Sequence, residues 1–211
     1  MSDFQTPYRG YDVLDKWDSP SWNEQTREVV DERLHDVPKR CFLTREQWSL
    51  LEAICERLIP QPDREEPVPI VPWIDDMLHR NHSPGYRYAD MPPMREAWRQ
   101  GLDAIAAEAH NRHGKTFEEL AEGEQDALLT DVQENRVERR YWRELPAGGF
   151  FLHHLLKSVV GIYYSHPAAW SEIGFGGPAS PRGYLRLGTN RRDSWEGEEH
   201  PNRVLQKAVL R

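Results

Sequence analysis

Gly148-Gly149-Phe150-Phe151-Leu152-His153-His154-Leu155-Leu156-Lys157-Ser158-Val159-Val160-Gly161-Ile162-Tyr163-Tyr164-Ser165-His166-Pro167 is the stretch that decides the fold. From Phe150 to Tyr164 its apolar residues cover more than one helical face, which predicts the central helix of a bundle. A membrane span takes about 20 apolar residues, and this run is shorter and carries His153, His154 and Lys157. His166-Pro167 stops it. Beyond it, Gly174, Gly176, Gly177, Pro178, Pro181 and Gly183 exclude regular helix.

Working outward toward the N-terminus, Glu119–Val137 reads as a helix through Gln125, Leu128, Leu129 and Val132. Pro92–Gly114 gives the cleanest amphipathic pattern, with Met94, Trp98, Leu102, Ile105 and Ala109 on one face and Gly114 at C′. Pro72 suits the first turn of a short helix carrying Trp73, Ile74, Met77 and Leu78. Thr44-Arg45-Glu46-Gln47 is a capping box that opens a helix ending at Pro60. Ser21-Trp22-Asn23-Glu24 fits the same box with Ser21 as N-cap, and predicts a peripheral helix ending before Pro38. Residues 1–18 read as an extended arm, and 188–211 as a polar tail. No β-hairpin signal and no fixed-period repeat occurs.

The expectation is an all-α fold, an irregular bundle of about five to seven helices with long loops and extended N- and C-terminal arms. Residues 1–40 would form the N-terminal arm and peripheral helix, 41–180 the helical core, and 181–211 the C-terminal tail.

The net charge of −8 over 211 residues argues against a nucleic-acid partner: the arginine cluster at Arg136–Arg143 includes Glu138, and the one at Arg182–Arg192 is followed by Asp193 and Glu196. Hydrophobic residues make up 38% of the chain, enough for a core that leaves some segments uncovered. Cys41 and Cys55 read as reduced, mostly buried thiols. The N-terminus shows neither a basic and apolar signal peptide nor a twin arginine, which as written gives a cytoplasmic chain.

A search for chemistry finds little. His110 and His113 stand at i, i+3 near Glu108, a spacing that can present two metal ligands and equally suits a solvated C-terminal turn. His153 and His154 are adjacent, so their side chains diverge by about 100° on a helix. His166 reads as a cap or contact residue, with a catalytic base as the rival reading. Asp75-Asp76, Glu118-Glu119 and Glu198-Glu199 read as solvated charge runs. Nucleophile-elbow, phosphate-loop and Cys-x-x-Cys patterns are missing, the paired Glu-x-x-His segments that a di-iron site needs on facing helices do not occur, and Gly174-Phe175-Gly176-Gly177 follows no strand. The aromatic run Tyr163–Trp170 into Ile173–Pro178 can be a buried plug or an adaptable contact surface.

Three blocks in order resemble one family. Phe42-Leu43-Thr44 through Leu58-Ile59-Pro60, Phe117–Leu129 with Gln125-Asp126-Ala127-Leu128-Leu129, and Phe150–Pro178 with Ile173-Gly174-Phe175-Gly176-Gly177-Pro178 are similar to the gluconate 2-dehydrogenase subunit 3 family, over residues 42–180. The resemblance implies a small subunit without catalytic, cofactor-binding or metal-binding residues of its own. Its partner would be a membrane-associated, FAD-containing flavoprotein of the glucose-methanol-choline type that oxidises a sugar or alcohol, with a cytochrome c subunit as a further partner. The small subunit would dock on the flavoprotein and stabilise or mature it. Export to the periplasm would then rely on a signal-bearing partner, since Met1–Asp18 stands where members commonly carry a twin-arginine signal. The contact anchors expected on this reading are Trp17, Trp22, Tyr164, His166, Trp170, Phe175 and Tyr184, with Arg182 and Arg186 as polar partners. The rival functions are a stand-alone helical enzyme using histidines and carboxylates, and a scaffold protein unrelated to redox chemistry.

Overall fold

The computed structural model describes residues 6–62, 64–82, 85, 88–179, 183 and 196–199. Among them every regular element is helical: α1 (Glu24–His35), α2 (Arg45–Leu58), α3 (Ile70–His79), α4 (Met94–His113), α5 (Glu122–Gln133), α6 (Arg139–Trp142), α7 (Ala147–Phe150), a π-helical stretch (Phe151–Leu156), α8 (Lys157–Ser165) and α9 (Pro167–Trp170). The all-α expectation therefore holds. None of these helices is long and apolar enough to cross a membrane. The chain divides into two compact units, one formed by Val37–Tyr163 and the other by Met1–Asp36 with Tyr164–Arg211. Residues 164–180, assigned above to the helical core, thus group with the N-terminal segment.

In the Val37–Tyr163 unit the hub is α4 rather than the aromatic helix. It packs on α2, α5, α6, α7 and the π-helical stretch. Its face Ala97, Trp98, Gly101, Leu102, Ala104, Ile105, Glu108 and Ala109 is buried. Gly101 is needed there for space: a Cβ would stand 2.4 Å from Cζ of Phe150, whose ring lies against α4. Trp98 meets Phe150 edge-on at 5.7 Å, and Trp142 lies 6.1 Å from the same ring. Gly114 closes α4 in the left-handed conformation, φ 66°, as its sequence position predicts.

The helix expected at Phe150–Tyr164 is core on one face only. Phe150, Leu155 and Val159 are fully buried, but Leu152 and Val160 are 44% and 36% exposed. The buried residues Phe151, Leu155, Val159 and Tyr163 recur every four positions through the π turn at Phe151–Leu156, and Leu152 and Val160 each fall one residue off that stripe. The Glu119–Val137 helix is shorter than predicted. Phe117–Glu119 forms a separate 3-10 turn, and α5 begins at Glu122.

Two buried carboxylates fix the irregular connections of this unit. Asp75, with no solvent exposure, accepts from the backbone N–H groups of Cys41 (2.6 Å), Phe42 (3.1 Å) and Leu43 (2.7 Å). Glu108, equally buried, accepts from the N–H of Glu138 at 2.6 Å and from Nε of Arg112 at 3.0 Å. Asp75 is therefore not the solvated charge its neighbour Asp76 suggested. It continues the buried stripe Val71, Ile74, Asp75, Leu78 at i, i+3, i+4, i+7, so the polar head is delivered where a buried loop needs an acceptor.

The Thr44 box forms as read: Thr44 Oγ1 accepts from the N–H of Gln47 at 3.1 Å, and Gln47 Oε1 from that of Thr44 at 3.3 Å. The two cysteines are free; Cys55 is buried, and Cys41, against expectation, is exposed. Burial first, with Glu52 and Glu56 adding, pushes the Cys55 thiol up to about 12.

Candidate functional site

The second unit is built from two chain segments remote in sequence, and the described part of it holds six of the nine residues expected to make contacts. The N-terminal arm contains one short regular turn among its described residues. Asp12 caps a 3-10 turn, Val13–Lys16, by accepting from the N–H of Leu14. Val13 is fully buried beside Trp22, Val30 and Trp170, with Tyr11, Leu14, Trp17 and Leu34 packed against them. This small apolar cluster is too thin to order its loops by burial alone. Side chains bonding to distant backbone supply the rest.

Most of those bonds converge on the glycine-rich loop after α9. Trp22 Nε1 donates to the carbonyl of Pro178 at 2.8 Å. Lys16, itself buried, donates from Nζ to the carbonyl of Gly176, with its ammonium 5.6 Å from the Trp22 ring. Thr6 Oγ1 donates to the carbonyl of Glu172 at 2.7 Å, and Ser171 Oγ accepts from the N–H of Val13 at 3.0 Å. Phe175 N–H closes the turn on the carbonyl of Trp170 at 3.0 Å. Gly177 sits at φ 69°, where a Cβ would press to 2.9 Å of Trp22 Cζ2. The motif needs glycine there for both conformation and room. Tyr11, half buried, has its phenol pushed up to about 12, first by burial and then by the carboxylates of Asp12 and Glu196.

Six of the nine expected contact residues lie among the described residues. Trp22 and Trp170 are 2% and 5% exposed and form the base of the unit, so their indoles are covered by this chain itself. Within this chain neither indole faces outward, and that of Trp22, aimed at the Pro178 carbonyl, is a tie between segments. Trp17 meets Trp22 edge-on at 6.0 Å and stays half-buried. His166 is buried and accepts through Nδ1 from the N–H of Ala168, which makes it the N-cap of α9. Tyr164, on α8, is half-buried. Phe175 is 38% exposed and stands edge-on to Trp170 at 5.4 Å. Ile173, not singled out in the sequence, is 43% exposed on the same loop. Its only sequence signal was being the aliphatic residue flanking the glycine turn. Tyr184, Arg182 and Arg186 lie outside the described residues.

α1 begins two residues later than read. Its N-cap is Asn23, which accepts from the N–H of Thr26 at 2.9 Å. Ser21 is held in the preceding turn, its N–H donating to Ser19 Oγ, while Trp22 reaches the Pro178 carbonyl. A helix starting at Ser21 would swing that indole away.

The histidine pair shows no ligand geometry. His110 is exposed, His113 faces Glu124 at 3.5 Å, and Glu108 is turned to Glu138 and Arg112. Among the described residues no three His, Cys, Asp or Glu side chains are grouped to hold a metal ion. The arrangement defines an all-helical protein whose polar side chains tie loops in place and whose glycine turn presents two apolar side chains outward on a fixed base. The chain belongs to the gluconate 2-dehydrogenase subunit 3 family, whose model matches residues 45–177. That family is, by its description, a subunit of a gluconate 2-dehydrogenase complex. No curated protein and no solved structure matches the chain. The match takes in Ile173–Gly177 but not Val13, Lys16 or Trp22, so the loop lies within the family region and the residues that brace it lie outside.

Proposed function

We propose that the chain is the non-catalytic small subunit of an FAD-dependent sugar or alcohol dehydrogenase, and that it docks on a glucose-methanol-choline-type flavoprotein and stabilises or matures it. Family membership supports the complex. The observation that carries the docking is the exposure of Ile173 and Phe175 on a loop already held by Trp22, Lys16 and Thr6. Apolar anchors on a preordered backbone lose little entropy on binding, and such residues dominate interface energies. A stable interface buries roughly 800 Å² on each partner, so these two side chains form its centre and neighbouring surface its rim. Val29, 49% exposed on α1 of the same unit, is available for that rim.

The test is co-expression with a glucose-methanol-choline flavoprotein encoded beside this chain. The pair should co-purify, and the flavoprotein should reach full FAD content only in the presence of this chain. Ile173→Asp with Phe175→Asp should abolish co-purification without changing the melting temperature of the isolated chain. A flavoprotein that loads FAD fully alone and does not co-purify sinks the reading.

A further inference from the structure

The Val37–Tyr163 unit carries a second surface feature, remote in sequence from the glycine loop. A groove of about 650 Å³ runs along α4 beside α6. Its lining begins at Pro93 and ends at Ala107 on α4. Fourteen residue steps at about 1.5 Å each make it roughly 21 Å long. In a chain of net charge −8 it is lined by four arginines, Arg95, Arg99, Arg140 and Arg143, against two carboxylates, Glu96 and Asp103.

The arginines are not equally engaged. Arg95 donates to the carbonyls of Leu78 and His79 at the C-terminus of α3. Arg140 donates to Asn111 Oδ1 at 2.9 Å and lies 4.7 Å from the Tyr141 ring. Arg99 stacks 4.3 Å over the Phe42 ring, which fixes its plane and leaves its N–H edge directed elsewhere. Neither Arg99 nor Arg143 has a carboxylate partner among the described residues. Of the two groove acids, Asp103 already accepts from Nε2 of Gln47 at 2.8 Å.

Arg143 is held in an unusual conformation, φ 53° and ψ −116°, at the end of α6. That region is unfavourable for a side chain with a Cβ, and it persists only where neighbours enforce it. Here they do: buried Trp142 anchors the turn, and its carbonyl accepts from Gln100 Nε2 and from the N–H of Leu145. The turn held in this way places Arg143 in the lining of the groove. Farther along, Ala104 and Ala107 leave the floor low.

We propose that this groove binds an extended acidic segment of a partner polypeptide, with Arg99 and Arg143 pairing its carboxylates. Length favours a peptide over a small anion, since an extended hexapeptide spans about 20 Å and a single ion would engage one end. The charge pattern favours it over nucleic acid. Glu96 and Asp103 would repel a continuous phosphate backbone, whereas a peptide can set a neutral residue opposite each.

The test uses the full chain and a fluorescein-labelled Glu-Ala-Glu-Ala-Glu-Ala peptide, read by fluorescence anisotropy at low salt. Binding is expected, with loss on replacing each Glu by Gln and weakening as salt rises. Arg99→Glu with Arg143→Glu should weaken it about tenfold or more. The charge-preserving Arg99→Lys with Arg143→Lys should retain an intermediate affinity. Circular dichroism identical to the parent shows that both variants fold. The inference fails if the Gln peptide binds equally, if the charge reversal changes nothing, or if no binding is seen at about 1 mM peptide. It also fails if free succinate competes as well as the peptide, or an oligothymidylate better. Ile173→Asp with Phe175→Asp should leave this binding unchanged, so the groove and the loop stand or fall separately.

Discussion

Asp75 and Trp22 perform the same task in the two units by opposite means. Each fixes a segment that lacks regular structure: Asp75 the connection Cys41–Leu43, Trp22 the loop ending at Pro178. Asp75 does it with charge, one carboxylate accepting three successive N–H groups in a site without solvent. Trp22 does it with area, one indole filling a thin cluster and giving a single N–H. The difference follows from what surrounds them. Both units bury a satisfied polar head, Asp75 in one and Lys16 in the other, but the Val37–Tyr163 unit has abundant aliphatic and aromatic core around α4 and needs no apolar area from its tie. The other unit has little apolar volume, so its largest side chain must serve as core and tie together.

The sharpest way to break the comparison is Trp22→Ala, which removes both roles at once. About 4 kcal/mol of local stability should be lost. Hydrogen exchange at Val30 should accelerate while Ile105 keeps its protection; equal acceleration at both would show that the distinction between units is wrong. Next comes Asp75→Asn, which keeps the shape but turns one acceptor into a donor facing backbone N–H groups. A loss of about 2 kcal/mol in denaturant unfolding is expected, and a loss below about 0.5 would mean that water already serves those groups. Gly177→Ala should lose about 1–2 kcal/mol, combining an unfavourable positive φ with contact on Trp22. If Trp22→Ala has been made first, most of the steric share should vanish, which a double-mutant cycle reads directly.

The smallest effect is in pH. His154, beside Phe150, is pushed below its ordinary 6.5 by burial, then by His153 and Lys157. Below pH 6.5 the unfolded chain takes up a proton that the folded chain resists, so stability should fall as pH drops from 6.5 toward the depressed folded value. His154→Gln should flatten that part of the stability profile, and an unchanged slope would assign the proton elsewhere.

The two units also differ in how much of them could be read in advance. In α2 and α4 the apolar period, the Thr44 box and the Gly114 terminus point the same way, and the helices form there. Asp75 reads as part of a solvated run, and Glu108 only as a neighbour of the His110 and His113 pair, when composition is weighed before period. Both sit on buried stripes, Glu108 with Gly101, Ala104, Ile105 and Ala109, and a charged residue in such a stripe signals a buried acceptor. The π turn at Phe151–Leu156 has no such signal, since one widened turn leaves composition unaltered. In the other unit the long ties join residues 132 to 191 apart, such as Arg33 with Ser165 and Tyr8 with Glu199. No window along a sequence contains both ends of such a bond. The contact loop was legible as unusual, through its glycines and aromatics. Which aromatics face inward depended on partners far away in the chain.

Cys41 carries a practical consequence of the Asp75 clamp. Its thiol is exposed while its own backbone N–H is one of the three held by that carboxylate. Cys55 is buried, which denies a reagent access and also pushes its thiol up to about 12. A maleimide dye added to the unaltered chain should therefore report from one position, a single atom removed from the main chain at a tie point. The molecule supplies its own spectroscopic handle at a junction where loosening would first be felt.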